Sequence, residues 1–276
     1  MTEQDRIEIF KIASLCRNFE EKVFELINKQ TFKFPIYLSA GQEFIPATLA
    51  YYLREKKPLI FAQHRAHSTY LSFGGNPEQL VLELLGKKGG CAGGMGGSAS
   101  IQSKEISMFG HDGLMGTQIP IAVGACFSSK KLTIAITGDA AAEEDYVMSS
   151  IAWAGTHQLP IIFVVEDNNL SILTKKKVRR NWEMTAFARA VNIAALDIGD
   201  SPLEISNSLR DLNTLPCLLN IRTDRLFWHA GAGMDDSPKI DRYLKEKERL
   251  GSVANEIHLN ARQKIEQLWQ RQLEIR

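Results

Sequence analysis

The sequence predicts an α/β protein built on a doubly wound, mostly parallel sheet, and three observations carry that expectation. Four short runs are continuously apolar and rich in β-branched residues: KPLIFAQ (57–63), KLTIAITGD (131–139), LPIIFVVED (159–167) and LPCLLNIRT (215–223). Such runs fit strands buried on both faces of a parallel sheet. Helical stretches separate them, at Pro77 to Leu85, Ala142 to His157, Glu183 to Ala190 and Leu203 to Leu212. Alternation of strand and helix defines the class, and its ligands lie at the carboxyl ends of the strands.

The elements follow in order. Ile7, Phe10, Ile12, Leu15, Phe19, Val23 and Leu26 recur at three- and four-residue spacing, which predicts an amphipathic N-terminal helix over 5–29. A second helix is expected after Gly41, through Ile45, Leu49 and Leu53. Between the first two strands lies GKKGGCAGGMGGSAS (86–100), whose glycines permit tight turns and close approach to a ligand. A charged helical extension is expected over 238–276. There is no internal repeat and no low-complexity linker, so one domain, 1–276, is the economical division.

Composition excludes more than it selects. Lys and Arg number 33 against 32 Asp and Glu, a formal charge of +1, which gives no global reason to expect nucleic acid or a membrane as partner. Cys16, Cys91, Cys126 and Cys217 are scattered with no Cys-x-x-Cys pair, as in reduced, structural thiols. The N-terminus MTEQDRIEIF is polar and acidic, unlike a secretory signal, and no apolar run approaches the ~20 residues of a membrane span. The expectation is a soluble cytoplasmic protein.

The chemistry concentrates between Thr137 and Thr174. One strand ends in Gly138-Asp139, and the next runs to Glu166 with Asn168-Asn169 just beyond it. Right-handed crossover makes Asp139 and Asn168 neighbours at consecutive strand ends. A carboxylate and an amide oxygen converging there suit a hard cation bridging a phosphorylated ligand. A helix starting near Ala141 offers its N–H groups to the phosphate.

The 29-residue interval from Asp139 to Asn168 resembles the thiamine-diphosphate signature, Gly-Asp-Gly followed by Asn-Asn. Neighbouring segments resemble, in order over roughly 35 to 235, the alpha subunit of 2-oxo acid dehydrogenases (the pyruvate, branched-chain and acetoin type). These are IYLSAGQEFIPATLA, FAQHRAH, GKKGGCAGGMGGS, GLMGTQIPIAVGA and RLFWHAGAGMD. The resemblance implies a thiamine-diphosphate-binding fold of the diphosphate-side type, with thiamine diphosphate and Mg²⁺ as cofactors. It implies Asp139, Asn168 and the backbone oxygen of Leu170 as metal ligands. Gly138, Ala140 and Ala141 would meet the diphosphate, with His64, Arg65 and Arg225 beside it. Gly113 and Met115 would meet the aminopyrimidine through backbone atoms, and His229 would face the reacting carbon, with His64 as a second catalytic histidine. Ala140 departs from the family's third-position glycine.

The implied activity is oxidative decarboxylation of a 2-oxo acid, an oxidoreductase reaction, with thiamine diphosphate as the electron-accepting cofactor. The resemblance also implies a separate beta subunit supplying the catalytic glutamate in an α₂β₂ heterotetramer, and a lipoyl-domain acyltransferase as acceptor. Ser100 stands where the family commonly has His, and Tyr37 where pyruvate dehydrogenases carry one. HAGAGMD differs from their His-Ser-x-x-Asp form. Two alternatives stay open: a non-oxidative decarboxylase or carboligase subunit, and a non-catalytic scaffold of the same fold.

Other features have plainer readings. His64 and His67 have metal-ligand spacing but lack further ligands for zinc. His157 reads as a surface residue. KKKVRR (175–180) reads as a solvated loop, with an anion-binding patch at the cofactor mouth as the alternative. The glycines of 86–97 favour a ligand over simple turns.

Overall fold

A computed structural model describes residues 1–211, 214–231 and 240–274. Its main sheet has six strands, all parallel: β1 (Leu59–Phe61), β2 (Met108–Phe109), β3 (Thr133–Gly138), β4 (Ile161–Asp167), β7 (Ala194–Gly199) and β8 (Cys217–Arg222). The spatial order is β2-β1-β3-β4-β8-β7. A separate hairpin, β5 (Leu170–Ser171) with β6 (Thr174–Lys175), follows directly on β4. The four apolar runs are β1, β3, β4 and β8. β2 and β7 carry too few consecutive apolar residues to stand out, and are strands because a neighbour's edge pairs with them.

Alternation along the strands splits the core in two. Ile134, Ile136, Ile162, Val164, Leu219 and Ile221 face one side, where they pack with Phe19 and Val23 of α1 (Glu3–Asn28) and Leu49 of α2 (Phe44–Leu53). The same cluster takes in Tyr70 of α3 (His67–Ser72), Leu80 of α4 (Pro77–Leu84) and Ile205 of α9 (Pro202–Asp211). Ala135, Phe163, Val165 and Leu218 face the other side. They meet α5 (Gln118–Ser129), α6 (Asp145–Thr156) and α8 (Met184–Ala190). Both faces are therefore covered, which is why these strands read as unbroken apolar runs.

The N-terminal helix begins at Glu3, earlier than the apolar stripe suggests, because Thr2 and Asp5 form a reciprocal capping box. The C-terminal extension is two helices, α10 (Arg242–Leu250) and α11 (Ser252–Glu274), separated at Gly251. Expectations for residue 212, for 232–235 of the RLFWHAGAGMD segment, and for 238–239 and 275–276 lie outside the described residues. Trp269 of α11 is fully buried beside Phe19 and Phe32. Arg17 of α1 forks onto both oxygens of Asp241, at 3.0 and 2.8 Å, and reaches Glu43 at 2.6 Å. One buried guanidinium thus ties α1 to the Gly-Gln-Glu segment and to the cap of α10. Among the described residues no helix is long and apolar enough to cross a membrane.

The glycine-rich loop corrects its sequence expectation. The fully buried carboxylate of Glu83, near the end of α4, accepts four backbone N–H groups from it. Ala92 and Gly94 bond one oxygen at 2.7 and 2.8 Å, and Gly96 and Gly97 the other at 2.7 and 3.1 Å. The anion these amides cradle is the chain's own, so they are not open to a phosphate. A β-carbon at Gly90 would sit 2.4 Å from the same carboxylate. Glu83→Gln replaces one of the two acceptor oxygens with a donor aimed at N–H groups. It is expected to cost about 2–4 kcal/mol in urea denaturation and to open 86–97 to proteolysis. A variant as stable and as resistant as the wild type would show that the loop does not depend on this carboxylate.

Candidate active site

The parallel register of β3 and β4 pairs Gly138 with Glu166, so Asp139 emerges beside Asp167 and one residue short of Asn168. These strand ends, with the segments after β1 and β8, form a cavity of about 450 Å³. One wall carries Gly138, Asp139, Ala140, Ala141, Asn168 and Leu170; another carries His64, Arg65, Arg225 and His229. Met115 reaches it from the segment before α5. Gly113 does not line it; its N–H donates to His111 Nδ1 at 3.0 Å. The remaining predicted site residues are brought together, from segments more than 160 positions apart.

The acidic wall is tightly set. Asp139 is almost fully buried, and burial together with neighbouring Asp167 lifts its carboxyl to about 6 despite Arg179 and Arg180. Asn168 donates from Nδ2 to Gln42 Oε1 at 3.2 Å, which assigns the amide's orientation, while its Oδ1 accepts Leu170 N–H at 3.1 Å. Gln42 of the Gly-Gln-Glu segment therefore aims the Asn168 side chain. Ala140 has φ −77° and ψ −47°, an ordinary right-handed conformation, so no glycine is required by the backbone there. The helix expected near Ala141 starts later: Ala141–Glu143 is a single 3₁₀ turn and α6 begins at Asp145.

The basic wall is equally organised. Arg65, buried, donates to Leu38 O at 2.6 Å and to His229 O at 3.2 Å. Arg225, also buried, donates to Ile172 O at 3.0 Å. Both guanidinium groups approach Nδ1 of His229, at 3.4 and 3.5 Å. Guanidinium only donates, so Nδ1 is the acceptor and the ring carries its proton on Nε2. Burial, reinforced by Arg65 and His229, depresses His64 to about 2, so it is neutral at any working pH. Tyr37 packs edge-on against His64 and His229, with ring centres 4.9 and 5.5 Å away.

Sequence reasoning missed several lining residues, among them Gln63, Glu143 and Arg179. KKKVRR is not simply solvated. Lys176 donates to Asp167 at 2.6 Å, Arg179 pairs with Asp139 and with Glu143, and Arg180 donates to the carbonyl of Asp139 at 3.0 Å. The available signal was a cationic run directly downstream of two acidic strand ends. His67 is no zinc ligand: its Nδ1 meets Glu20 at 2.7 Å and its Nε2 meets Ser98 at 2.9 Å, all buried. Among the described residues no cluster of three or more His, Cys, Asp or Glu could hold a metal. His157 is exposed and packs tilted against the Trp153 ring. The described cysteines are all free thiols.

The parallel sheet, with a polar cavity at its carboxyl edge, has the transketolase-like thiamine-diphosphate-binding fold. Transketolase from Campylobacter jejuni superposes with a TM-score of 0.59 over 97% of this chain and 49% of its own, at 17% identity, a likeness of fold alone. The dehydrogenase E1 component family matches residues 11–210, and the chain belongs to that family. It is similar to the pyruvate dehydrogenase E1 component subunit alpha of Rickettsia prowazekii, at 26% identity over 265 residues, 89% of this chain and 79% of that one. It is also similar to the mitochondrial pyruvate dehydrogenase E1 component subunit alpha-1 of Arabidopsis thaliana, at 29% over 176 residues. That match spans 62% of this chain and only 45% of the relative.

Two outcomes follow from the site's geometry. Gly41 has φ +97°, and a β-carbon there would lie 2.2 Å from Asp224 O, on the segment that carries Arg225. Gly41→Ala must strain its own backbone or push that segment away; a loss of about 2–4 kcal/mol in thermal or urea denaturation is expected. An unchanged midpoint would mean the two segments are not held together. Glu166 is buried behind the cavity, hydrogen-bonded to Gln63, and burial lifts its carboxyl from 4.5 to about 7. Between those values the unfolded chain ionises first, so this group removes stability as pH rises. Glu166→Gln should therefore gain on the order of 2 kcal/mol relative to wild type between pH 5 and pH 8. Parallel stability–pH curves for the two proteins would exclude a buried neutral acid at 166.

Proposed function

We propose that this chain is the alpha subunit of a thiamine-diphosphate-dependent 2-oxo acid dehydrogenase-type decarboxylase, active with a separate beta subunit. The single observation that carries the reading is the divided cavity. Oxygen donors at Asp139, Asn168 and Leu170 face guanidinium and imidazole groups at Arg65, Arg225, His64 and His229. Magnesium takes oxygen ligands and shares phosphate oxygens with a bound cofactor, and buried Asp139 already attracts a cation. The donor set fits Mg²⁺ with a diphosphate.

Thiamine diphosphate, when bound, supplies the ring that accepts electrons as a 2-oxo acid loses CO₂. The chain's own residues bind and orient. Asp139, Asn168 and the Leu170 carbonyl hold the metal; Arg65 and Arg225 hold phosphate oxygens. Neutral His64 and the Nε2–H of His229 donate hydrogen bonds where charge develops on a reacting oxygen. Met115 packs against the cofactor's aromatic end. The glutamate acting on the aminopyrimidine belongs to the beta subunit, which makes an α₂β₂ assembly the working form, in the cytoplasm. A lipoyl-domain acyltransferase is the acyl acceptor in this reading, and a 2-oxo acid the substrate.

One contact favours a second reading: Arg179 pairs with Asp139. A chain in which that arginine permanently replaced the metal would be a non-catalytic scaffold. Calorimetric titration of thiamine diphosphate with Mg²⁺ separates the two, on this chain alone and co-produced with a candidate beta subunit. Binding is expected in the complex, and Asp139→Asn should weaken it at least a hundredfold, since it removes a charged metal ligand. Wild-type affinity in that variant would remove Asp139 from the site, and a wild-type complex that binds nothing would favour the scaffold.

A further inference from the structure

Arg179 occupies an unusual position for a residue in a run of six that reads as solvated. It ends the short helix α7 (Lys176–Arg179), which both flanks anchor without it. On one side Lys176 donates to Asp167 at 2.6 Å and its backbone N–H to Asn169 O at 3.0 Å. On the other, Arg180 holds the Asp139 carbonyl and lies over the Trp182 ring at 4.9 Å. Arg179 is left to extend into the cavity, where Nη2 meets the carboxylate of Asp139 and Nη1 meets Glu143 at 2.6 Å. Its Nε is buried without a partner.

Charge explains why a cation is there. Asp139, Glu143 and Asp167 converge on this wall and are answered by Lys176, Arg179 and Arg180. Arg179 holds Oδ2 of Asp139. A divalent metal taking that oxygen at about 2 Å would sit against a guanidinium group in a poorly solvated site, where the two cations repel.

From this we infer that Arg179 is a tethered cation that holds Asp139 in the cofactor-free protein and is displaced by the metal on loading. Glu143 retains the other end of the guanidinium, so the movement is a short swing from Asp139 towards the cavity. There Nη2 and the unpartnered Nε become donors for an anion, either the diphosphate or a substrate carboxylate. Arg179 in this way lowers the apparent metal affinity, because only the open fraction of the site can take the ion. The inference rests on the cofactor reading above and adds a residue and an exchange to it. It differs from a clamp, in which Arg179 would stay on one oxygen of Asp139 while the metal took the other.

The test is calorimetric titration of Mg²⁺ in saturating thiamine diphosphate, on the chain co-produced with its partner, for wild type, Arg179→Gln and Arg179→Lys. Thermal denaturation is followed with and without the cofactor. Removing the competitor should tighten metal binding about tenfold in Arg179→Gln, corresponding to a site closed ~90% of the time. The same variant should melt lower than wild type without cofactor, and show a larger rise in Tm when metal and cofactor are added. Arg179→Lys, which keeps the charge but loses the fork, should tighten binding less. It carries the test alone should the glutamine variant not fold. Unchanged or weaker metal binding in a folded variant overturns the exchange and marks Arg179 as a clamp. A wild-type complex that binds no Mg²⁺ with thiamine diphosphate overturns both this inference and the cofactor reading, a result distinct from a variant effect.

Discussion

Two carboxylates set side by side at the ends of adjacent parallel strands constrain everything around the cavity. The β3–β4 register is fixed by side chains that must face one of two cores, and a one-residue slip would turn every one of them to the wrong side. That register brings Asp139 next to Asp167 whether or not their charges agree. Burial makes the proximity worse, and Asp139 accordingly holds its proton more tightly than an exposed aspartate. The chain answers from the segment that follows, where Lys176, Arg179 and Arg180 fold back over both acids. A concentrated site for cations is therefore a consequence of the sheet, and the chemistry proposed for it uses a tension already present in the fold.

Around this centre the loops are held by buried charge more than by apolar packing. Glu83 shapes the glycine-rich loop from inside through four amide donors. Glu20, His67 and Ser98 form a chain of hydrogen bonds linking α1, α3 and the end of that loop, and Ser98 also accepts the N–H of Tyr37 at 2.8 Å. Tyr37 in turn packs on His64 and His229, so the ring geometry of the basic wall is traceable to a carboxylate on the first helix. Arg17 does the same for the Gly-Gln-Glu segment, whose Gln42 orients Asn168. Glu83 meets four donors and Glu20 two, the condition under which buried polar networks give rigidity. Arg17 Nε and Gln42 Nε2, by contrast, are buried without a hydrogen-bond partner among the described residues.

The basic wall shows the same economy. Two buried guanidinium groups converge on one imidazole nitrogen, which places the proton of His229 on the other nitrogen. The cavity is thereby split between an oxygen-rich end and a donor-rich end.

Sequence patterning alone reads out the fold class, four of the six main strands, four of the helices among them, and Asp139 and Asn168 as neighbours at consecutive strand ends. These are properties of unbroken apolar runs and of residues at their ends, and local patterning encodes them directly. It also singled out Arg65, Arg225, His64 and His229, which the fold gathers on one wall. Other features were decided only by tertiary structure. The two short or half-polar strands, β2 and β7, exist because a neighbouring edge bonds them. The glycine-rich loop reads as a ligand loop until Glu83 is seen to take its amides, and Gly113, whose N–H turns to His111, lies outside the cavity lining. KKKVRR reads as a hydrated run because charge blocks usually are. The acidic strand ends upstream are the one local hint, and which acid meets which cation appears only in the fold. Electrostatic partners separated along the chain meet only when the sheet has formed, and their pairing is therefore invisible to periodicity and spacing.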